Sequence, residues 1–275
     1  LSALGFMAAL SRGEASWWYP TMLGVAPDFP SLLPYWLGAW ALQLAPPGVN
    51  SDFWVRIPFI LLLTLAFVST WYGSYYLART PAAQPVAFAF GGEAHPTDYA
   101  RAMADGGLLA FMASLGLAQL SHETTPALAQ LGFSALLFYA LSALPYHRTA
   151  PLFCAGLGML GMSLSGAPAL ALMFGVGGAC IHGVDRRSAN DEDNPLRHQT
   201  LDAALLLVMA LAVAWIAKIL GLWVWKVEWP TLTWDYWNGH IQLLLWFTWP
   251  AWPLALYSAW RWRKHLFSLN ISRHL

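Results

Sequence analysis

Charge is what this sequence has least of. Only 10% of its 275 residues are charged, where an ordinary soluble domain has roughly a quarter. The 14 Lys and Arg balance the 14 Asp and Glu. A chain with so few charges cannot coat a water-facing surface with them, and with no basic patch it is a poor partner for nucleic acid. Cysteine is scarce too. Cys154 and Cys180 both lie in apolar runs, form neither a disulfide framework nor a zinc spacing, and read as small buried hydrophobes. The first residues do not read as a signal peptide either. Residues 1–10 have no basic front and no cleavage site, and read as the last turns of a helix that begins upstream. Further sequence is therefore expected at both ends, with residues 1–275 forming a single, partial transmembrane domain.

What the chain has is hydrophobic length. It is 58% hydrophobic, and residues 57–78, 124–146 and 241–260 carry no charge at all. About 20 apolar residues cross a hydrocarbon core as a helix, and in lipid every backbone polar group must be paired internally. The expected fold is an all-α polytopic transmembrane bundle of about eight spans plus a partial first helix. The spans are read at 1–11 (partial), 31–46, 55–78, 106–121, 125–145, 150–164, 167–182, 201–225 and 240–260. Residues 149–181 also carry no charge but are too long for one span. Ser163-Leu164-Ser165-Gly166 and Pro168 divide them into a tight hairpin, whose glycines let its helices approach closely.

Lys and Arg set the orientation. Arg186, Arg187 and Arg197 mark one cytoplasmic loop, and Arg261, Arg263 and Lys264 another. The Asn270-Ile271-Ser272 sequon beside the second cluster is then on the wrong side for glycosylation. If the loop 12–30 is periplasmic, an odd number of spans must reach the loop 183–200, yet six are read; either one of them, with 106–121 the first suspect, does not cross, or residues 79–105 hide an irregular crossing. Lys218 is the main charge inside a span and is expected to snorkel or pair. With no internal repeat and so few intramembrane charges, no ion pathway of a transporter is evident.

Three places hold candidate chemistry. Glu14, in Gly13-Glu14-Ala15-Ser16-Trp17-Trp18-Tyr19-Pro20, stands just past a helix end among aromatics. An acid there serves as a general base toward a hydroxyl or binds a divalent ion; the plainer alternative is a solvated loop carboxylate. Tyr35 and Trp36 begin a span, and Arg56-Ile57-Pro58 begins another; as structure alone they are interfacial anchors. Asp98, Arg101 and Asp105 precede an apolar run, with Asp105 read at a helix N-terminus, where the dipole favours it. Eleven of the 17 tryptophans fall between Trp215 and Trp262. They read as an interfacial aromatic belt, with a sugar- or headgroup-stacking platform at Trp229, Trp234, Tyr236 and Trp237 as the functional alternative.

In this order the motifs resemble those of the GT-C superfamily of polytopic glycosyltransferases, in particular the bacterial aminoarabinose (lipid A) transferases and, more distantly, the protein O-mannosyltransferases (glycosyltransferase family 39-like). Glu14 resembles the second acid of the family's first periplasmic loop. Leu33-Pro34-Tyr35-Trp36-Leu37 resembles its Tyr-Trp motif, Arg56-Ile57-Pro58 its Arg-x-Pro, Asp105 its helix-opening Asp, and Leu164-Ser165-Gly166 its Lys-Gly turn. The span from His240 to Trp249-Pro250, with the exit Arg261-Trp262-Arg263-Lys264, resembles a later span. The resemblance covers about residues 12 to 264.

It implies a bacterial inner-membrane enzyme, with its site facing the periplasm, that passes a sugar from a polyprenyl phosphate to a lipid or envelope acceptor. Glu14 would be catalytic, and Tyr35, Arg56, Arg101, Asp105 and His240 would bind substrate. A divalent metal would be an option, with His240 the one histidine to consider as a ligand. The departures are Gly13 in place of the first acid, Ser165 in place of Lys, and Asp28-Phe29 where the family has a Lys. They open the alternative of a catalytically degenerate member acting as a lipid-binding or structural subunit.

Overall fold

The computed structural model describes residues 3–27, 30–48, 50–80, 83, 94–184, 195–223 and 233–263. Among these residues the protein is all-helical. Its helices are α1 (Ala3–Ser11), α2 (Leu33–Leu44), α3 (Ser51–Ala78), α4 (Pro96–Met112), α5 (Leu115–Leu120), α6 (Pro126–Ala143), α7 (Thr149–Leu164), α8 (Pro168–Val184), α9 (Pro195–Ile219), α10 (Trp234–Phe247) and α11 (Ala251–Trp262). The chain divides into two compact units, residues 1–69 with 123–225, and residues 70–122 with 226–275.

Among the described residues three helices are long and apolar enough to cross a membrane: Ser51–Ala78, Pro126–Ala143 and Gln199–Ile219. The first has 28 residues, or about 42 Å of helix, against a hydrocarbon core of about 30 Å. Thr149–Leu164 and Pro168–Gly183 are shorter apolar helices. On α9, Val208, Leu211, Trp215 and Ile219 are all exposed, with more than half of each side chain uncovered. A continuous apolar stripe of that kind is unfavourable in water and favourable in lipid. Together these features mark a membrane protein. Lys218, in the last turn of α9, is exposed, a position where its charge also complements the helix dipole.

The first unit is organised around α6, α7, α8 and α9, with α1 packed on α2. Its core includes Met7, Leu10, Leu128, Leu137, Met159 and Leu206. Small residues bring the helices together. A Cβ on Gly132 would stand 3.0 Å from the Leu62 carbonyl oxygen, and one on Gly158 would stand 3.1 Å from that of Phe133, so these backbones touch directly. In the second unit α5 packs on α4 and α10, and Leu115 N–H donates to the Trp249 carbonyl at 3.2 Å.

Several expected spans are corrected. Residues 106–121 are not one helix: α4 begins ten residues earlier, at Pro96, and Ala113–Ser114 separates it from α5. The start is set by His95, whose ring accepts from Thr97 N–H, by Pro96 in the first turn and by Asp98 behind it. Asp105 is therefore inside a helix, and the N-terminal dipole explanation for it falls. The run 240–260 is likewise two helices, interrupted at Thr248–Pro250. The helix expected from 55 starts at Ser51, where Asn50 Oδ1 accepts from Asp52 N–H at 3.0 Å, and Pro58 lies inside it. The helix expected over 201–225 runs from Pro195 to Ile219. Hydropathy marks where apolar residues begin, whereas polar caps mark where helices begin, and the two differ by up to a few turns here.

Candidate functional site

Glu14 owes its position to the end of α1. Glu14 N–H donates to the Ala9 carbonyl at 2.9 Å and Gly13 N–H to that of Leu10 at 3.1 Å. This is the paired closure that ends a helix around a left-handed residue. That residue is Gly13, at φ 74°. Any other L-residue would cost about 1 kcal/mol there. The position where the resemblance expects a first acid is thus a backbone position that calls for glycine.

Beyond this cap the chain is stitched down as a compact loop. Trp36 Nε1 donates to the Trp17 carbonyl at 2.7 Å. Trp17 stacks on Trp40 with centroids 6.2 Å apart, and Trp18 meets Trp36 edge-on at 5.8 Å. Met22 and Val25 exchange backbone hydrogen bonds of 2.9 and 3.0 Å. Between them Leu23 (φ 51°) and Gly24 (φ 78°) form a turn with both central residues left-handed. An open cavity of about 420 Å³ lies between this turn and α1, lined among others by Gly5, Arg12, Glu14, Thr21, Met22 and Leu23. Glu14 is exposed, with Arg12 Nη1 3.7 Å from its Oε1. A shallower groove of about 340 Å³ is lined by Trp18, Tyr19, Ile219 and Leu220.

Tyr35 and Arg56, in the same unit, do not line the Glu14 cavity. Tyr35 is in the core, 4% exposed, its ring 5.5 Å from that of Phe6. Arg56 is exposed on the second turn of α3. The α7–α8 turn holds Ser165 and Gly166, which the sequence resemblance sets against a Lys-Gly. Ser165 is 0% exposed, and its carbonyl accepts from Gln130 Nε2 at 2.7 Å. Leu32 N–H donates to the Leu164 carbonyl at 2.8 Å, locking the start of α2 onto this turn. The side-chain hydroxyls of Ser31, Ser163 and Ser165 are buried without a hydrogen-bond partner among the described residues.

The remaining candidates belong to the second unit. Arg101 pairs with Asp98 at 3.3 Å, one turn away on the exposed side of α4. Asp105 Oδ1 accepts from Trp71 Nε1 at 2.7 Å. His240 is exposed on α10, as are Trp234 and Trp237. Trp229 and the side chain of Tyr236 lie outside the described residues, as do Arg186, Arg187, Lys264 and the sequon. Among the described residues no group of three His, Cys, Asp or Glu side chains is placed to hold a metal ion.

Two features escaped the sequence reading. Asp202, the only acid in the apolar run of α9, is buried against Arg148; its isolation among apolar residues was the available signal. Trp71 and Tyr75 near the end of α3 and Arg79 just past it, spaced four apart, form one row, which the i, i+4 spacing could have revealed.

No protein-family model, no curated protein and no solved structure matches this chain.

Proposed function

We propose that this chain is a membrane glycosyltransferase. It takes a sugar from a polyprenyl phosphate and passes it to a lipid or envelope acceptor at the periplasmic face of a bacterial inner membrane. The observation that carries the reading is Glu14: an exposed carboxylate, held at a fixed helix end, lining an open cavity beside an aromatic loop. The acceptor hydroxyl oxygen attacks the anomeric carbon as its proton passes to Glu14. The anomeric carbon–oxygen bond to the phosphate breaks, the lipid phosphate leaves with the electron pair, and the configuration inverts. Among the described residues Glu14 has Arg12 as its near charged neighbour and belongs to no group of three His, Cys, Asp or Glu side chains. A guanidinium 3.7 Å away repels a divalent ion, so this setting does not fit one.

The reading also takes an orientation. With α4 and α5 set aside as non-crossing, the reading counts five spans (α2, α3, α6, α7 and α8) between the Glu14 loop and residues 185–194. An odd number is what the reading needs to set the Glu14 loop opposite the basic loop that the Lys and Arg bias makes cytoplasmic.

The test is Glu14→Gln in native membranes. Sugar transfer should vanish while the protein accumulates normally; undiminished transfer would remove Glu14 from the mechanism. The second reading, a catalytically degenerate lipid-binding subunit, is favoured by Gly13 at the expected first acid and by the burial of Ser165 at the expected cation. Mass spectrometry of envelope glycans from a deletion strain separates the two, since an unchanged glycan profile belongs to the second.

A further inference from the structure

The end of α9 opens onto the groove of about 340 Å³, and helix and groove share Ile219. The helix closes around Gly221, at φ 65°. Gly221 N–H donates to the Lys218 carbonyl at 3.2 Å, and Leu222 N–H to that of Ala217 at 2.9 Å. Leu222 and Ala217 are buried with Leu32, which anchors this wall. The other wall comes from the loop after α1. Tyr19 N–H donates to the Ser16 carbonyl at 3.2 Å, and the Trp18 ring is held edge-on against Trp36. Trp18, Tyr19, Ile219 and Leu220 line the groove, so both walls are anchored while Trp18 and Tyr19 stay exposed.

Ile219 also ends the exposed apolar stripe of α9. From Val208 to Ile219 the helix rises about 16 Å, close to half of a hydrocarbon core of about 30 Å, or one leaflet. Lys218 follows Trp215 by three residues and Leu211 by seven, which puts it on the same face. It is exposed and forms no ion pair among the described residues. The acid within α9, Asp202, begins about 24 Å away along the helix and is paired with Arg148. A leaflet-long apolar face therefore runs into an aromatic groove beside an uncompensated ammonium. A diacyl phospholipid has the same order: acyl chain, glycerol ester, phosphate. Tyr and Trp suit the ester level, where an apolar ring and a polar tip are both accommodated. The uncompensated charge favours a headgroup with net negative charge over one that carries its own cation.

We infer that this end of α9 docks one anionic glycerophospholipid. An acyl chain lies on the Val208–Ile219 stripe, the glycerol esters lie in the Trp18–Tyr19 groove, and Lys218 holds the phosphate. The ligand is a bulk membrane lipid, neither sugar donor nor acceptor, and the inference stands without the role given to Glu14.

The test is native mass spectrometry of the full chain, delipidated in detergent micelles and titrated with dioleoylphosphatidylglycerol or dioleoylphosphatidylethanolamine. The wild type should hold the first lipid about fivefold more tightly, the worth of one cation near a membrane surface. Lys218→Gln should abolish that preference and leave binding of the second lipid unchanged, while Lys218→Arg should keep the preference. Tyr19→Ala, which opens the groove wall without touching charge, should weaken both lipids, and it decides the matter if Lys218→Gln fails to accumulate. Arg263→Gln removes an exposed cation elsewhere and should change nothing. Equal affinity of the wild type for both lipids, an equal loss in Arg263→Gln, or binding unmoved by Tyr19→Ala overturns the site. Undecaprenyl phosphate bound more tightly than phosphatidylglycerol, and lost in Lys218→Gln, would make the groove part of a donor site and overturn it as well. Glu14→Gln should bind lipid as the wild type does, so loss of transfer there leaves this result independent.

Discussion

Arg148 Nε donates to Asp202 Oδ1 across 2.8 Å, joining residues 54 positions apart. The two ends differ: the Asp202 side chain is 8% exposed and that of Arg148 44%. Removing Arg148 strands a carboxylate away from water, whereas removing the charge of Asp202 leaves a guanidinium that reaches solvent. Arg148→Ala should therefore destabilise by about 3 kcal/mol and Asp202→Asn by only about 1 kcal/mol. Thermal unfolding midpoints in one detergent check the order, and an equal or reversed pair would refute the asymmetry.

Gly13 and Gly166 separate backbone strain from collision. Both have positive φ, 74° and 90°. A Cβ at Gly13 meets nothing within 4 Å, while one at Gly166 stands 2.7 Å from the Pro30 carbonyl oxygen. Gly13→Ala should cost about 1 kcal/mol. Gly166→Ala should cost the same strain plus about 1–3 kcal/mol of overpacking. Matching midpoints for the two variants would contradict this.

Ser165→Lys would supply the cation that the sequence resemblance expects, yet it should not create a phosphate site. Ser165 is fully buried on the α7–α8 turn, so the ammonium would enter an apolar setting at a cost of several kcal/mol. The variant should accumulate poorly. Ser165→Ala should be neutral or stabilising by about 1 kcal/mol, because it removes a buried hydroxyl with no partner among the described residues. Wild-type accumulation of Ser165→Lys would show that this turn opens to solvent.

Leu23 is 95% exposed and sits at φ 51°. A branched side chain is disfavoured in that left-handed conformation, and Asn tolerates it far better. Leu23→Asn should raise stability by about 0.5–1 kcal/mol without altering the fold of the loop. A lower unfolding midpoint would mean that Leu23 makes a contact worth more than the strain it bears.

Much of the architecture was legible locally. The uncharged runs gave α3 and α6, and Ser165-Gly166-Ala167-Pro168 gave the division between α7 and α8, because Gly and Pro interrupt helices through their own backbone geometry. The same local reading placed Glu14 just past a helix end. It misplaced the starts of α3, α4 and α9, where Asn50, His95 and Pro195 precede the apolar residues. It also gave Asp105 a helix end that the cap at His95 assigns elsewhere.

Glu14 shows where the boundary lies between sequence and tertiary structure. By itself the sequence determined that this chain is helical and apolar enough for a membrane, and that an acid follows α1 among aromatics, since composition and chain-neighbour chemistry suffice for both. Only the tertiary structure decided that Gly13 is a required helix end, that Tyr35 and Ser165 are buried, and that Trp71 meets Asp105 and Arg148 meets Asp202. Those outcomes depend on which helix faces pack together. Partners 34 and 54 residues apart leave no periodic signal in the stretch of chain that carries either one.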